Sequence, residues 1–183
     1  KGTVVHSRSE RLGSDDINLA LANHLRRHRG LQVGEETTEV IKTRFATTYL
    51  PEEIEKKFMV RGRDVQTGSP SAVEVTVGEI YPVVEGIVRR AAQIVSDTLT
   101  ELRPEVAADI YDRGIVLTGG GALLNGIDQY VRNFVNLPVT ISDEPRYATV
   151  HGLLKMFDEP ALLEKVSRNE LHFLQNAEVP FEA

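Results

Sequence analysis

The chain has 183 residues, a formal net charge of −6 and a hydrophobic fraction of 41%, and it contains neither Cys nor Trp. This length fits one ordinary domain or two small ones, and the composition is that of a globular chain with a buried core. The absence of Cys excludes disulfides, thiol catalysis and Cys-based zinc sites. The acidic balance argues against general attraction to nucleic acid, and no apolar run approaches the roughly 20 residues that cross a bilayer.

The first segment predicts a strand and then a helix. Residues 2–6 (GTVVH) have the pattern of a short strand, so the sequence opens inside an element and Lys1 is not expected to be a natural beginning. Residues 13–16 (GSDD) supply turn and N-cap chemistry for a helix. Its apolar rhythm runs through residues 17–25, and the helix is expected to stop near Gly30.

A second helix is predicted over TEVIKTRFA, with Thr37 or Thr38 at its start. Glu39, Lys42 and Thr43 are expected on its exposed side, whereas the opposite face carries Val40, Ile41 and Phe45. Pro51 and the charged run EEIEKK that follows predict a solvated connection.

The periodicity then changes to that of strands. Residues 58–63 and 72–76 alternate or nearly so, and the turn residues 68–70 between them predict a hairpin. Thr76 and Glu79 have the spacing of a capping box ahead of a long amphipathic helix. That helix is the strongest element in the sequence.

The C-terminal part alternates between strands and helices. Residues 115–118 (IVLT) predict a buried strand that enters a run of glycines and then a helix at about 122–134. Three further segments are expected: a strand at 137–141, a helix at about 147–157 and a tail at 159–183. The alternation predicts an α/β fold, and the central hairpin with its neighbouring helices predicts a smaller α+β subdomain.

The glycine run at residues 119–121 is the most informative local feature. It removes every β-carbon where a strand turns into a helix, so a flat or anionic ligand can approach the backbone amides and the helix N-terminus. A tight turn without any ligand explains the same glycines, so both interpretations stay open. Gly121 and Gly126 have P-loop spacing, but Ile127 and Asp128 replace the required Lys and Ser or Thr. With no G-x-G-x-x-G fingerprint either, nothing supports a dinucleotide-binding Rossmann domain.

Other polar groups favour structural interpretations. His24 and His28 have metal-ligand spacing on one helix, but no general-base Glu lies between them, so a solvated face is preferred. The run RRHR at 26–29 indicates a charged surface and is a poor nucleic-acid signal. Asp15 and Asp16 are most simply helix caps, although a capped helix start can also hold a ligand. No G-x-S-x-G elbow or Ser-His-Asp set suggests a catalytic triad.

Taken together, separated segments closely resemble the MreB family of rod-shape-determining bacterial actins. They are residues 12–16 (LGSDD), 33–42 (VGEETTEVIK), 60–64 (VRGRD) and 112–124 (DRGIVLTGGGALL), within a match over about residues 3–158. The resemblance implies the C-terminal half of an actin-like ATPase. Its ribonuclease-H-like lower subdomain comprises residues 1–15 and 77–158, a smaller α+β subdomain is inserted at 16–76, and a C-terminal tail follows at 159–183.

The resemblance also implies part of an ATP site. Glu39 and Lys42 match residues that contact ribose and base, and Ser14 and Asp15 match the helix start that flanks the ribose. The loop beneath the nucleotide matches Gly119, Gly120, Gly121 and Ala122. Two departures stand out, because Ser14 occupies a position where the family usually has Gly and Leu154 replaces a Gly in the pattern after Gly152.

The implied function is that of a filament-forming ATPase that organises cell-wall synthesis and maintains rod shape. Its implied cofactors are ATP or ADP with Mg²⁺, and its implied partners are further copies of itself and cell-shape and wall-synthesis membrane proteins, with no nucleic acid. Its filaments are expected to be cytoplasmic and membrane-associated.

The family's phosphate-gripping hairpins, magnesium-associated acid, water-orienting carboxylate and membrane-attaching segments belong upstream of this sequence. This chain alone is therefore not expected to hydrolyse ATP efficiently, because hydrolysis needs positioning and charge neutralisation of the phosphates. Two alternatives stay open. One is a non-catalytic actin-like interaction module, and the other is half of a chaperone or sugar-kinase ATPase.

Overall fold

The structure is a computed structural model, and it describes residues 4–49, 54–161, 163–164 and 167. Its elements in chain order are α1 (Ser14–Arg29), β1 (Leu31–Gln32), α2 (Glu35–Phe45), β2 (Lys57–Asp64), β3 (Pro70–Thr76), α3 (Val77–Thr100), α4 (Pro104–Arg113), β4 (Ile115–Leu117), a 3₁₀ helix (Gly120–Leu123), α5 (Ile127–Val135), β5 (Val139–Ile141) and α6 (Ala148–Asp158). Most of the predicted tail, residues 2–3 of the predicted first strand and residues 51–53 of the predicted solvated connection lie outside the described residues. The described helices include none that is both long and apolar enough to span a membrane.

The predicted hairpin is confirmed and belongs to an antiparallel sheet with the order β1-β2-β3. Phe58 pairs with Val75 and Val60 pairs with Val73, which brings the apolar residues of both strands to one face. The turn is held by Asp64, whose carboxylate accepts backbone N–H groups from the two residues of the turn that follow Val65. Strand β1 was not predicted, because two residues are too short to show an alternating pattern.

The main core lies between this sheet and helices α1, α2 and α3. Leu21 and Leu25 of α1, Leu31 of β1 and Val84 of α3 have almost no exposed surface. Helix α1 ends where predicted, because Gly30 adopts the left-handed conformation that closes a helix.

The capping box predicted at the start of α3 forms only in part. The Thr76 hydroxyl accepts the Glu79 N–H at 3.1 Å, as expected. The Glu79 carboxylate instead accepts hydrogen bonds from Arg29 (Nε, 2.8 Å) and His24 (Nε2, 3.0 Å) of α1. These bonds lower the pKa of Glu79, and the bond from Arg29 is the largest cause. They also connect α1 to α3. His24 is therefore largely buried against Glu79, and its prediction as part of a solvated face is wrong.

A second, smaller cluster lies where α3 and α5 cover the parallel pair β4–β5. Ile115 pairs with Val139, and Ala92 and Val131 of the helices pack against them. Val116 points to the opposite face and is 62% exposed. The prediction of a buried strand is therefore wrong for its central residue, since the described helices cover only one face of this sheet.

Two other predictions need correction, and one helix was not predicted. Residues 4–6 carry no strand, and Val4 and Val5 are exposed. The helix expected from about residue 122 begins at Ile127, because Gly120–Leu123 form a 3₁₀ turn and Gly126 is left-handed at φ 80°. Helix α4 was missed, although Pro104 at its first turn and Gly114 after its end are ordinary helix-boundary signals. The division into subdomains at residues 16–76 stays a prediction.

Candidate functional site

A cavity of about 380 Å³ lies between α1, α2, α3 and the glycine segment. The structure brings part of the predicted site together there: Ser14, Glu39, Lys42, Gly120 and Gly121 all line the cavity. Much of the remaining wall is apolar and includes Ile17, Ile87, Val88, Leu124 and Ile127. A space with apolar walls and a few polar groups on one side is typical of a small-molecule site.

The other predicted residues do not line this cavity. Asp15 is exposed in the first turn of α1, and Ala122 is buried within the 3₁₀ turn. Gly119 shapes the loop, since it is left-handed at φ 80° and its N–H donates to the carbonyl of Pro145 at 2.8 Å. Gly119 and Ala122 thus support the loop and do not line the cavity.

Glu39 and Lys42 form the polar centre of the cavity. The Lys42 ammonium lies 2.6 Å from Glu39 Oε2 and donates to the Ser14 carbonyl at 3.4 Å. Asn18 Nδ2 donates to the same Glu39 oxygen at 2.8 Å. The bonds from Lys42 and then Asn18 lower the pKa of Glu39, so the carboxylate is ionised at neutral pH.

Lys42 was expected on the exposed side of its helix, and that expectation is wrong. Only 8% of Lys42 is exposed, because α2 packs against α1 along the face that carries it. The charge is tolerated there because Glu39 lies in hydrogen-bonding contact with it. The apolar face also differs from the prediction, since Ile41 is buried and Val40 is exposed.

The glycine segment has open space beside its backbone. A β-carbon built on Gly120 or Gly121 would meet no atom within 4 Å. Two hydrogen bonds hold the 3₁₀ turn together. The Ala122 N–H donates to the Gly119 carbonyl, and the Leu124 N–H donates to the Gly121 carbonyl. The expected helix N-terminus does not follow the glycines directly, so any ligand contact here involves the 3₁₀ turn.

A clamp between Thr48 and Asn125 lies beside the cavity, which Asn125 lines. The Thr48 N–H and hydroxyl both donate to the Asn125 carbonyl, at 2.9 and 3.0 Å. Gly126 follows at a point where a β-carbon would lie 2.8 Å from Thr48 Oγ1 and 2.6 Å from Tyr49 Cε1. Glycine is therefore needed there both for the left-handed backbone and for the close approach.

Sequence reasoning missed two residues of this site. Asn18 is only 6% exposed, and its Oδ1 atom has no hydrogen-bond partner among the described residues. In the sequence, Asn18 could have been noticed as a polar residue within the apolar face of α1, one turn before Leu21. Arg146 lines the cavity beside the glycine segment, and no local motif singled it out. The described residues contain no group of His, Asp and Glu that could hold a metal ion.

Comparisons with known proteins give the family context for this cavity. The sequence profile of the MreB/Mbl protein family matches residues 1–165. The chain is 34% identical over 164 residues to the cell shape-determining protein Mbl of Bacillus subtilis (strain 168), which covers 90% of the chain and 49% of that protein. It is also 34% identical over 158 residues to the cell shape-determining protein MreB of Escherichia coli (strain K12), covering 85% of the chain and 45% of that protein.

Solved structures show the same fold. The crystal structure of MreB5 of Spiroplasma citri bound to AMPPNP superposes with a TM-score of 0.81 at 24% identity, over 91% of this chain and 49% of that one. A MamK double helical filament gives a TM-score of 0.64 at 25% identity, over 79% of this chain and 44% of that one.

The fold is therefore that of an actin homologue, with the mixed α/β architecture expected from the sequence. The chain belongs to the MreB/Mbl protein family. It spans about half the length of the curated relatives that it matches.

Proposed function

We propose that the cavity holds the adenosine portion of ATP or ADP. In this proposal Glu39 and Lys42 contact ribose and base, Ser14 flanks the ribose, and Gly120 and Gly121 lie beneath the nucleotide. The observation that carries the proposal is the convergence of these residues on one cavity, although they come from separate parts of the chain. The related MreB5 structures bound to AMPPNP and ADP give independent support.

The chemistry of the lining fits such a ligand. The ionised Glu39 carboxylate accepts hydrogen bonds, and ribose hydroxyls donate them. The apolar residues of α3 and α5 suit the faces of a base, and Gly120 adds no side chain that would narrow the space beside it. Mg²⁺ would accompany the phosphates, and we assign none of its ligands to this chain.

We extend the proposal to the protein that carries this chain. It assembles with ATP into membrane-associated cytoplasmic filaments, organises cell-wall synthesis with membrane partners and maintains rod shape. The support is family membership, the names of the cell shape-determining relatives and the filament formed by MamK. Sedimentation of that protein with and without ATP tests assembly, and failure to pellet with ATP would contradict it.

Calorimetric titration of the chain with ADP tests the cavity itself. Lys42→Met keeps the aliphatic length but removes the ammonium, and it is expected to weaken ADP binding about tenfold or more, by losing a charged hydrogen bond. The matched control is Lys57→Met, because Lys57 pairs with Glu74 on the exposed hairpin at 2.8 Å. Absence of ADP binding by the unaltered chain, or equal affinity of the two variants, would refute the assignment.

A further inference from the structure

Arg146 is held beside the glycine segment by the residue before it. Pro145 is buried, and its carbonyl accepts the Gly119 N–H at 2.8 Å and the Thr118 hydroxyl at 3.2 Å. The loop that carries Arg146 is therefore anchored to the loop that carries Gly120. Arg146 itself is exposed and lines the cavity, so its guanidinium is accessible to a ligand there.

The charges around the cavity leave this guanidinium without a fixed partner. Glu39 and Lys42 lie 2.6 Å apart and largely neutralise each other. Arg146 exerts a weak Coulombic effect that helps to lower the pKa of Glu39, but it forms no hydrogen bond or ion pair with any described residue. The guanidinium of Arg146 therefore remains free to contact a bound molecule.

The composition of the lining indicates what that contact is. Among the residues that the structure describes, no aromatic side chain lines the cavity, so none of them offers a ring to stack on a base. Arg146 supplies a planar cation, and a guanidinium stacks favourably on an aromatic face. The rest of the lining is largely apolar, which suits the face of a neutral base better than a charged phosphate.

We infer that Arg146 is a specificity-determining residue whose guanidinium stacks on the base of the bound nucleotide, in place of an aromatic ring. The inference rests on the proposed function, since it assumes that the cavity holds adenosine. Arg146 is not among the site residues predicted from the sequence. Its contact is with the face of the base and does not involve the phosphates.

Titrations with ADP and with adenosine, using Arg146→Ala and Arg146→Lys, test this inference. Stacking predicts that Arg146→Ala weakens both ligands by a similar factor of several-fold to about tenfold. Arg146→Lys should lose most of the same affinity, because it keeps the charge but not the plane. The matched control is Arg63→Ala, on the exposed hairpin, where Arg63 donates to Gln32 at 2.8 Å. All variants should melt like the parent chain, because the replaced side chains are exposed.

The outcomes separate the two levels of the proposal. Loss of ADP affinity with unchanged adenosine affinity would show a phosphate contact and overturn the stacking. Normal binding by Arg146→Lys would do the same, since charge alone would then suffice. If Lys42→Met weakens ADP binding but Arg146→Ala does not, the adenosine site stands and only this inference fails. If the parent chain binds neither ligand, the proposed function and this inference fail together.

Discussion

Replacing Gly126 by Ala tests whether the clamp between Thr48 and Asn125 shapes the cavity. Gly126 has φ 80°, a conformation that costs an L-residue about 1–2 kcal/mol. The added β-carbon would also contact the Tyr49 ring and lie 2.8 Å from Thr48 Oγ1. Tyr49 is half exposed and can turn away, whereas Thr48 is buried and bonded to Asn125.

The expected loss is the sum of these two effects. The displaced Thr48 hydrogen bond adds about 1 kcal/mol to the backbone cost, so Gly126→Ala should lower the free energy of unfolding by about 2–3 kcal/mol. Gly30 provides a matched control, since it is also left-handed, at φ 61°, but a β-carbon there meets no atom within 4 Å. Gly30→Ala should therefore cost only the backbone part, about 1–2 kcal/mol.

Urea unfolding followed by circular dichroism measures both values, and ADP titration measures the effect on the cavity. Gly126→Ala should weaken ADP binding because Asn125, its neighbour, lines the cavity. Gly30→Ala should leave binding unchanged, since Gly30 lies at the far end of α1 from Ser14. Equal destabilisation by the two substitutions would refute the contact argument, and normal ADP binding by Gly126→Ala would refute its link to the cavity.

Three further substitutions probe individual side chains. Gly120→Val places its side chain in open space, so the free energy of unfolding should change by no more than about 0.5 kcal/mol. ADP affinity should fall, and unchanged affinity would exclude Gly120 from the site. Asn18→Ala removes a donor and should raise the pKa of Glu39, measured by carboxyl NMR titration, and an unmoved pKa would contradict the hydrogen bond. Because the pKa of Glu39 is lowered on folding, its stabilisation is complete above its unfolded value and is lost as pH falls through the folded one. Burial and then the bond to Glu85 raise the pKa of Tyr130 to about 12, so its stabilisation is complete below pH 10 and is lost as pH rises towards 12. Tyrosinate absorbance should show this late titration, and Glu85→Gln should lower the pKa but keep it above 10; a tyrosine set that titrates entirely near 10 would contradict the burial.

The sequence predicted elements whose signals are local. The hairpin and the end of α1 at Gly30 follow from alternation and from one glycine, and both are confirmed. Burial was predicted less well, because it depends on what packs against an element. Val116 has the sequence context of a core strand but lies on a face that the described helices do not cover, and Lys42 is buried because α2 lies against α1.

The residues of the candidate site also fall into those that a local motif predicts and those that only the fold brings together. The resemblance selected Glu39 and Lys42 through a short helical motif, and Gly120 through the glycine run. Asn18 stands out in the sequence only as a polar residue on an apolar helix face, and no local motif singles out Arg146. The contact of Asn18 with Glu39 and the position of Arg146 at the cavity both depend on the tertiary structure. Residues that contact a site from other elements need the tertiary structure, whereas residues within one motif do not.

Helix α3 has a consequence for how the chain unfolds. Val77, Ile80, Val84 and Val88 belong to the main core, and Ala92, one turn further on, belongs to the smaller cluster under β4–β5. Ile127 and Tyr130 of α5 also pack against both clusters. Melting either cluster therefore removes packing from the other. We expect the two predicted subdomains to lose structure in a single cooperative transition. The boundary at residue 76 would then separate two parts of the chain topology that unfold together.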